Sequence, residues 1–165
     1  MASLPRRLAG INRHDDEGAA MLEFIALSLL LLIPLIYLVV TLSRIQAGAF
    51  AAESAASEAS RTLVVTGVHE LESGASRSAA MSQGSQRAQA AVGLVAADFG
   101  FSSEEAALIL ACEGTCLEPG TNATAEVTIQ VALPGIPGFL NSSIPLEVEV
   151  VGSARSPVDS LTEDS

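Results

Sequence analysis

Three features of this 165-residue chain have residue types and spacings that could do chemistry: one carboxylate beside an apolar run, two cysteines and two histidines. Glu23 stands one position before Phe24–Leu42, a stretch without a single charge. A carboxylate at that depth is costly unless it reaches an interface or meets a partner. At the first turn of a helix the backbone dipole also favours a negative charge, so both readings stand. Cys112 and Cys116 are the only cysteines, separated by Glu113, Gly114 and Thr115. Two thiols that close are expected to form a structural disulfide in an oxidising compartment. The C-x-x-C spacing of a redox site is absent, and zinc would need two further ligands that no His is placed to supply. His14 lies near the N-terminus and His69 in a Gly/Ser-rich connector, and neither is assigned a role. With so few histidines the many serines have no general base, and the carboxylates are scattered over positions where charge usually means solvation. The residues therefore predict no enzyme, no cofactor, no metal site and no small-molecule substrate.

The elements that position these residues follow from composition. The chain is 49% hydrophobic with 4% aromatics and a formal charge of −11, and its mean hydropathy is +0.44. All eight basic residues are Arg and they are scattered, which offers no basic footprint for nucleic acid. The hydropathy is concentrated in Phe24–Leu42. As a helix that run is about 28 Å long, close to the hydrocarbon thickness of a bilayer. A small domain rarely encloses a helix that is apolar all round, and Pro34 is tolerated in a membrane helix. Arg6, Arg7 and Arg13 precede the run and only Arg44 follows it closely. That asymmetry predicts a single-pass protein of the cytoplasmic membrane, N-terminus in the cytoplasm and C-terminal domain extracytoplasmic. A cleaved secretory signal is the competing reading, with Ala47-Gly48-Ala49 as a candidate cleavage site. The length of the apolar run and the acidic Asp15-Asp16-Glu17 before it count against that.

Beyond the run, Ile45, Gly48, Ala49, Ala52, Ala55, Ala56 and Ala59 recur at three- and four-residue steps, a stripe of small residues on a continuing helix. Such a stripe allows close helix packing, either against this protein's own domain or against neighbouring subunits. The opposite face carries Glu53, Ser54, Ser57 and Glu58. Thr66–Ser78 reads as a connector and residues 79–97 as a second helix, ended at Asp98-Phe99-Gly100-Phe101. Strict alternation around Val127, Ile129 and Val131, and again around Val148 and Val150, predicts strands, with a Pro/Gly-rich loop at 133–143 between them. Ala107–Cys112 is a third strand candidate: a Ser102/Glu105 capping box could make it a helix, but its length and neighbours favour a strand. The expected fold is α+β. It comprises a leader (1–18), a transmembrane helix (19–43), a helical stalk with a second helix (44–101), a small antiparallel β domain of about three strands (102–155) and a flexible acidic tail (156–165). Asn122-Ala-Thr124 and Asn141-Ser-Ser143 fit the glycosylation pattern, one that short tripeptides meet readily by chance.

Gly18, four residues and then Glu23, placed after a short charged leader and before an apolar helix, resembles the processing site of type IV pilin-like precursors. The segment EGAAMLEFIALSLLLLIPLIYLVVTLSRIQAGAFAAESAASEASR, from Glu17 to Arg61, is similar to the N-terminal region of TadE-like proteins. These are pseudopilins or minor pilins of tight-adherence (Flp) pilus assembly, and the likeness covers the first third of the chain. It carries the Glu23-Phe24 step and the Ala/Ser-rich continuation to Arg61. The resemblance implies cleavage by a prepilin peptidase between Gly18 and Ala19, on the cytoplasmic side. It also implies that Glu23 pairs with the new ammonium of a neighbouring subunit and so sets register. The implied partners are the membrane, that peptidase, other pilin-like subunits and the pilus assembly platform. An unprocessed single-pass anchor whose outer domain binds an envelope partner is the alternative. Residues 1–18 carry three Arg against three acids, and residues 19–165 five Arg against sixteen acids, so the charge would survive cleavage.

Overall fold

The computed structural model describes residues 13–133 and 147–159, with side chains from Ala19 onward. The fold is α+β: helix α1 (Arg13–Glu72), helix α2 (Arg77–Asp98) and strands β1 (Ala106–Cys112), β2 (Asn122–Ala132) and β3 (Glu147–Pro157). The chain divides into two compact units at Val39/Val40. In the first, α1 runs through Pro34 and every residue from Ala19 to Val39 is exposed. Its large apolar side chains range from 43% exposure at Tyr37 to 73% at Leu22. Among the described residues this one helix is long and apolar enough to cross a membrane.

In the second unit α1 changes character. Ala51, Ala52, Ala55, Ala56 and Ala59 are completely buried, and Ser60, Leu63 and Val64 continue the face, while Glu53, Ser54, Ser57 and Glu58 stay exposed. The small-residue stripe is covered by this protein's own sheet and second helix, which decides between the two packings its spacing allows. The sheet is an antiparallel meander in the order β1-β2-β3. Central β2 buries Ala123, Ala125, Val127, Ile129 and Val131 on the helical side, the inward set that alternation predicts. Alanine bulk lets the sheet come down to the helix backbone. At Gly152 of β3 a Cβ atom would overlap the backbone of Ala52 and Glu53. Further along, the hydroxyls of Ser60 and Ser156 lie 3.0 Å apart, and Ser60 also donates to the Ser57 carbonyl at 3.0 Å. The two helices approach as closely: a Cβ at Gly84 of α2 would sit 2.9 Å from the Leu63 side chain.

The helix ends are set by backbone hydrogen bonds. At the end of α1 the Ala75 N–H donates to Glu70 O and the Gly74 N–H to Leu71 O, both at 3.0 Å. At the end of α2, Phe101 N–H donates to Ala96 O at 2.9 Å and Gly100 N–H to Ala97 O at 3.0 Å. Gly74 and Gly100 take φ of +91° and +78°, the left-handed conformation such caps require. Ser76 caps the start of α2, its hydroxyl accepting from Ala79 N–H at 3.3 Å.

Two expectations need correction. The connector assigned to Thr66–Ser78 is mostly helix: α1 continues to Glu72 because Val64 and Val68 belong to the core packing, and the turn is confined to residues 73–76. His69 therefore sits in the last turn of α1 and not in a loop. The tail expected from Ser156 begins later. Ser156 and Pro157 pair with Ala123 and Asn122, and Val158 is buried with its N–H donating to Thr121 O at 2.9 Å. The strand expected at Ala107–Cys112 forms as β1; the Ser102/Glu105 contact is made too, with Ser102 N–H and hydroxyl donating to Glu105 Oε2 at 2.7 and 2.9 Å, and it closes a turn into that strand. The leader up to residue 12 and the β2–β3 connection from 134, including Asn141, lie outside the described residues.

Gly152→Ala is expected to lower unfolding stability by about 1–3 kcal/mol, as overpacking does in a core that cannot give. Gly93→Ala, on α2, is the matched control. Its Cβ would meet only Ser103 at 3.7 Å, so relief of the helical glycine should raise stability by about 0.4–1 kcal/mol. Urea unfolding of the full chain in detergent, followed by circular dichroism, checks both signs.

Candidate functional site

Two places hold the residues singled out by type and spacing. The first is the N-terminal part of α1. Ala19 and Glu23 are four residues apart on one continuous helix, so they lie one turn apart on the same face. Both are exposed, and Phe24 is 71% exposed beside them. Glu23 is the only charged side chain between Ala19 and Ser43, and no ion pair reaches it among the described residues. Position 18 falls within α1. A glycine in a helix interior costs about 0.5–1 kcal/mol relative to alanine, which eases opening of the helix at the Gly18–Ala19 bond. Chemically the arrangement is a single anionic site on an otherwise apolar rod, suited to one cation.

The second place is the β1–β2 connection. Cys112 and Cys116 are joined in a disulfide with Cα atoms 5.3 Å apart, as the short spacing predicts. The bridge closes a tight loop whose next residue, Leu117, has φ of +62°. A non-glycine residue in that conformation costs about 1–2 kcal/mol. Leu117 is nonetheless only 3% exposed and lies where a Cβ at Gly67 of α1 would collide with it. The loop thus delivers one leucine into a notch made by one glycine. Nothing in the sequence marks Leu117, because neither the notch nor the backbone conformation leaves a periodic trace. Glu113, inside the loop, joins the strand ends: Asn122 Nδ2 donates to its Oε2 at 3.0 Å, and Arg155 Nη1 lies 3.4 Å from its Oε1. That ion pair is exposed and contributes little to stability.

Arg44, the first cation after the apolar run, stacks 5.0 Å from the centroid of the Phe101 ring. Phe101 is 3% exposed, so the contact ties the start of the second unit's share of α1 to the turn after α2. A groove lined by Val64, Val65, Val68, His69, Glu72, Pro157 and Asp159 runs beside the end of α1. His69 shares that groove with the carboxylates Glu72 and Asp159. Among the described residues no group of three His, Cys, Asp or Glu side chains converges on a point where a metal could sit.

Replacing both Cys112 and Cys116 by Ser is expected to cost about 2 kcal/mol, the loop-closure value for so short a ring. The same loss should follow from reduction of the native chain. Thermal unfolding with and without reductant measures it, and the double variant should be indifferent to reductant.

Compared with known protein families, with curated proteins and with solved structures, the chain matches none of them significantly.

Proposed function

We propose that the protein is a TadE-like pseudopilin or minor pilin, a membrane-anchored structural component of a tight-adherence (Flp-type) pilus assembly system. The observation that carries the reading is the placement of Glu23. It is one carboxylate on an apolar helix whose residues from Ala19 to Val39 are all exposed, five residues after Gly18 and one turn from Ala19. In this reading a prepilin peptidase cuts between Gly18 and Ala19 on the cytoplasmic side. The ammonium created at Ala19 is a cation of the right charge and depth for the Glu23 of a neighbouring subunit. Pairing the two offsets the cost of holding either alone among apolar helices.

The rest of the chain is compatible with such a part. The apolar stretch of α1 crosses the cytoplasmic membrane once, with the N-terminus inside and residues after Arg44 outside, where the Cys112–Cys116 disulfide is chemically at home. The proposed partners are the peptidase, other pilin-like subunits and the assembly platform. The role is structural and not enzymatic, with no nucleic acid or small-molecule substrate. A secreted form cut after Ala49 fits the packing badly. It would strip Ile45, Ala47 and Gly48 from the core of the second unit, where a Cβ at Gly48 would already overlap Val131.

One observation favours a second reading, an unprocessed single-pass anchor whose outer domain binds an envelope partner. The Gly18–Ala19 bond lies inside α1, which begins at Arg13, and a peptidase must unwind that turn before it can cut. Two substitutions separate the readings in cells that make the pilus. Gly18→Leu should leave the chain in its longer form and abolish pilus assembly, whereas under the anchor reading it changes neither length nor assembly. Glu23→Gln should be cut normally yet fail to support assembly, since it removes the charge without removing the cleavage site.

A further inference from the structure

The chain from Glu113 to Thr121 joins β1 to β2 and carries more than its own turn. Thr121 N–H and hydroxyl donate to Glu118 O at 3.1 and 2.7 Å, and Glu118 N–H donates to Thr115 O at 3.3 Å. The end of β3 hangs on the same loop. Gly120 N–H donates to Val158 O at 3.0 Å, and Val158 N–H donates to Thr121 O at 2.9 Å. Between Glu113 and Thr121 only Leu117 is buried. Its side chain fills the space that a Cβ at Gly67 would take, so the notch at Gly67 is the loop's one apolar foothold on α1.

We propose that the Cys112–Cys116 disulfide is a redox latch on that foothold. While it is closed, Leu117 stays seated and the Gly120–Val158 end of the sheet is held shut; when it is reduced, Leu117 leaves the notch and that end opens. The balance of terms favours this. Leu117 has φ of +62°, and the strain of a left-handed leucine offsets a large part of what its burial gains. Burial alone therefore holds the loop weakly. The ring from Cys112 to Cys116 ends directly before Leu117 and supplies the rest. A ring of that size reduces the freedom of the released loop by a factor of about thirty.

The bridge is placed to react. Both cysteines are half-buried, and Glu113, Gly114 and Thr115 between them are exposed. Closing the latch removes two electrons and two protons from the two thiols. The acceptor is the disulfide of a thiol oxidoreductase or of oxidised glutathione. One cysteine forms a mixed disulfide with it, the other displaces that bond, and the oxidant leaves as two thiols. Thiols stay reduced in the cytoplasm and oxidise outside it, so on the proposed topology the sheet end closes only after export. The latch itself rests on neither that topology nor cleavage at Gly18, and its failure leaves the N-terminal reading standing.

The test is limited digestion of the full chain in detergent with a glutamate-specific protease, read at Glu118. That residue is exposed and lies outside the ring. Dithiothreitol should raise the rate of cutting at Glu118 about thirtyfold, and reoxidation with glutathione disulfide should reverse it. A chain with Cys112→Ser and Cys116→Ser should be cut at the raised rate with or without reductant. Leu117→Ala, which keeps the ring but empties the notch, should be cut fast in both states, with reductant adding less than about threefold. Unchanged circular dichroism shows that the helices survive each treatment. A rate at Glu118 that reduction leaves unaltered would overturn the proposal. So would cuts spreading to Glu53, Glu58 and Glu126, because the whole unit would then be unfolding. A Leu117→Ala chain that still responds thirtyfold to reductant would make the ring a plain tether, with no latch on Leu117.

Discussion

The structure of the second unit depends on the near absence of side-chain bulk along one face of α1. Five alanines from Ala51 to Ala59, all fully buried, allow a three-stranded sheet to rest on the helix backbone itself. The sheet answers in kind. The inward positions of β3 after Val150 are Gly152, Ala154 and Ser156, and Gly152 leaves no room for a Cβ beside Ala52. Bulk returns in central β2 and in α2, where Val127, Ile129, Val131 and Val92 fill the space between the sheet and the helices. Close approach and dispersion contact here take the place of large apolar side chains, which explains a closed core in a chain with only 4% aromatics.

The same helix serves two environments by changing which faces are apolar. From Ala19 to Val39 it is apolar on nearly all sides and exposed on all sides, an arrangement that water does not favour and a bilayer does. From Gly48 on it is two-faced, with alanines inside and glutamates outside. Arg44 marks the change, held over the Phe101 ring. The net charge follows this division. Between Ala19 and Ser43 there is one carboxylate, Glu23, and the excess of acids belongs to the residues after that stretch.

Much of this was legible in the residues. Helix, second helix and three strands, the small-residue stripe and the disulfide all follow from period and spacing. The misread segments share one physical cause. Gly67 and Gly74 both looked like breakers between Thr66 and Ser78, yet Gly74 caps α1 while Gly67 lies inside it as the notch for Leu117. A glycine needed for close approach and one needed for a left-handed turn are indistinguishable in sequence. The second half of β3 hid for the same reason: Gly152, Ala154 and Ser156 lack the apolar alternation of a strand because a helix backbone occupies the space a valine would fill. Leu117 was invisible altogether, since neither its left-handed backbone nor the Gly67 notch that receives it leaves a periodic trace. Among the sequence-marked residues, the disulfide is realised in the fold. Glu23 and Ala19 share a helix face, and the roles assigned to them depend on partners outside this chain.

Where the mature chain begins is decisive, and intact-mass spectrometry of protein purified from its native membrane measures it most directly. A chain starting at Ala19 is the predicted result: it leaves Glu23 one helical turn from a free ammonium. A chain starting at Met1 or Ala2, recovered from cells with an active prepilin peptidase, would contradict the pilin-like reading, and one starting near Phe50 would contradict any reading in which α1 remains the membrane anchor.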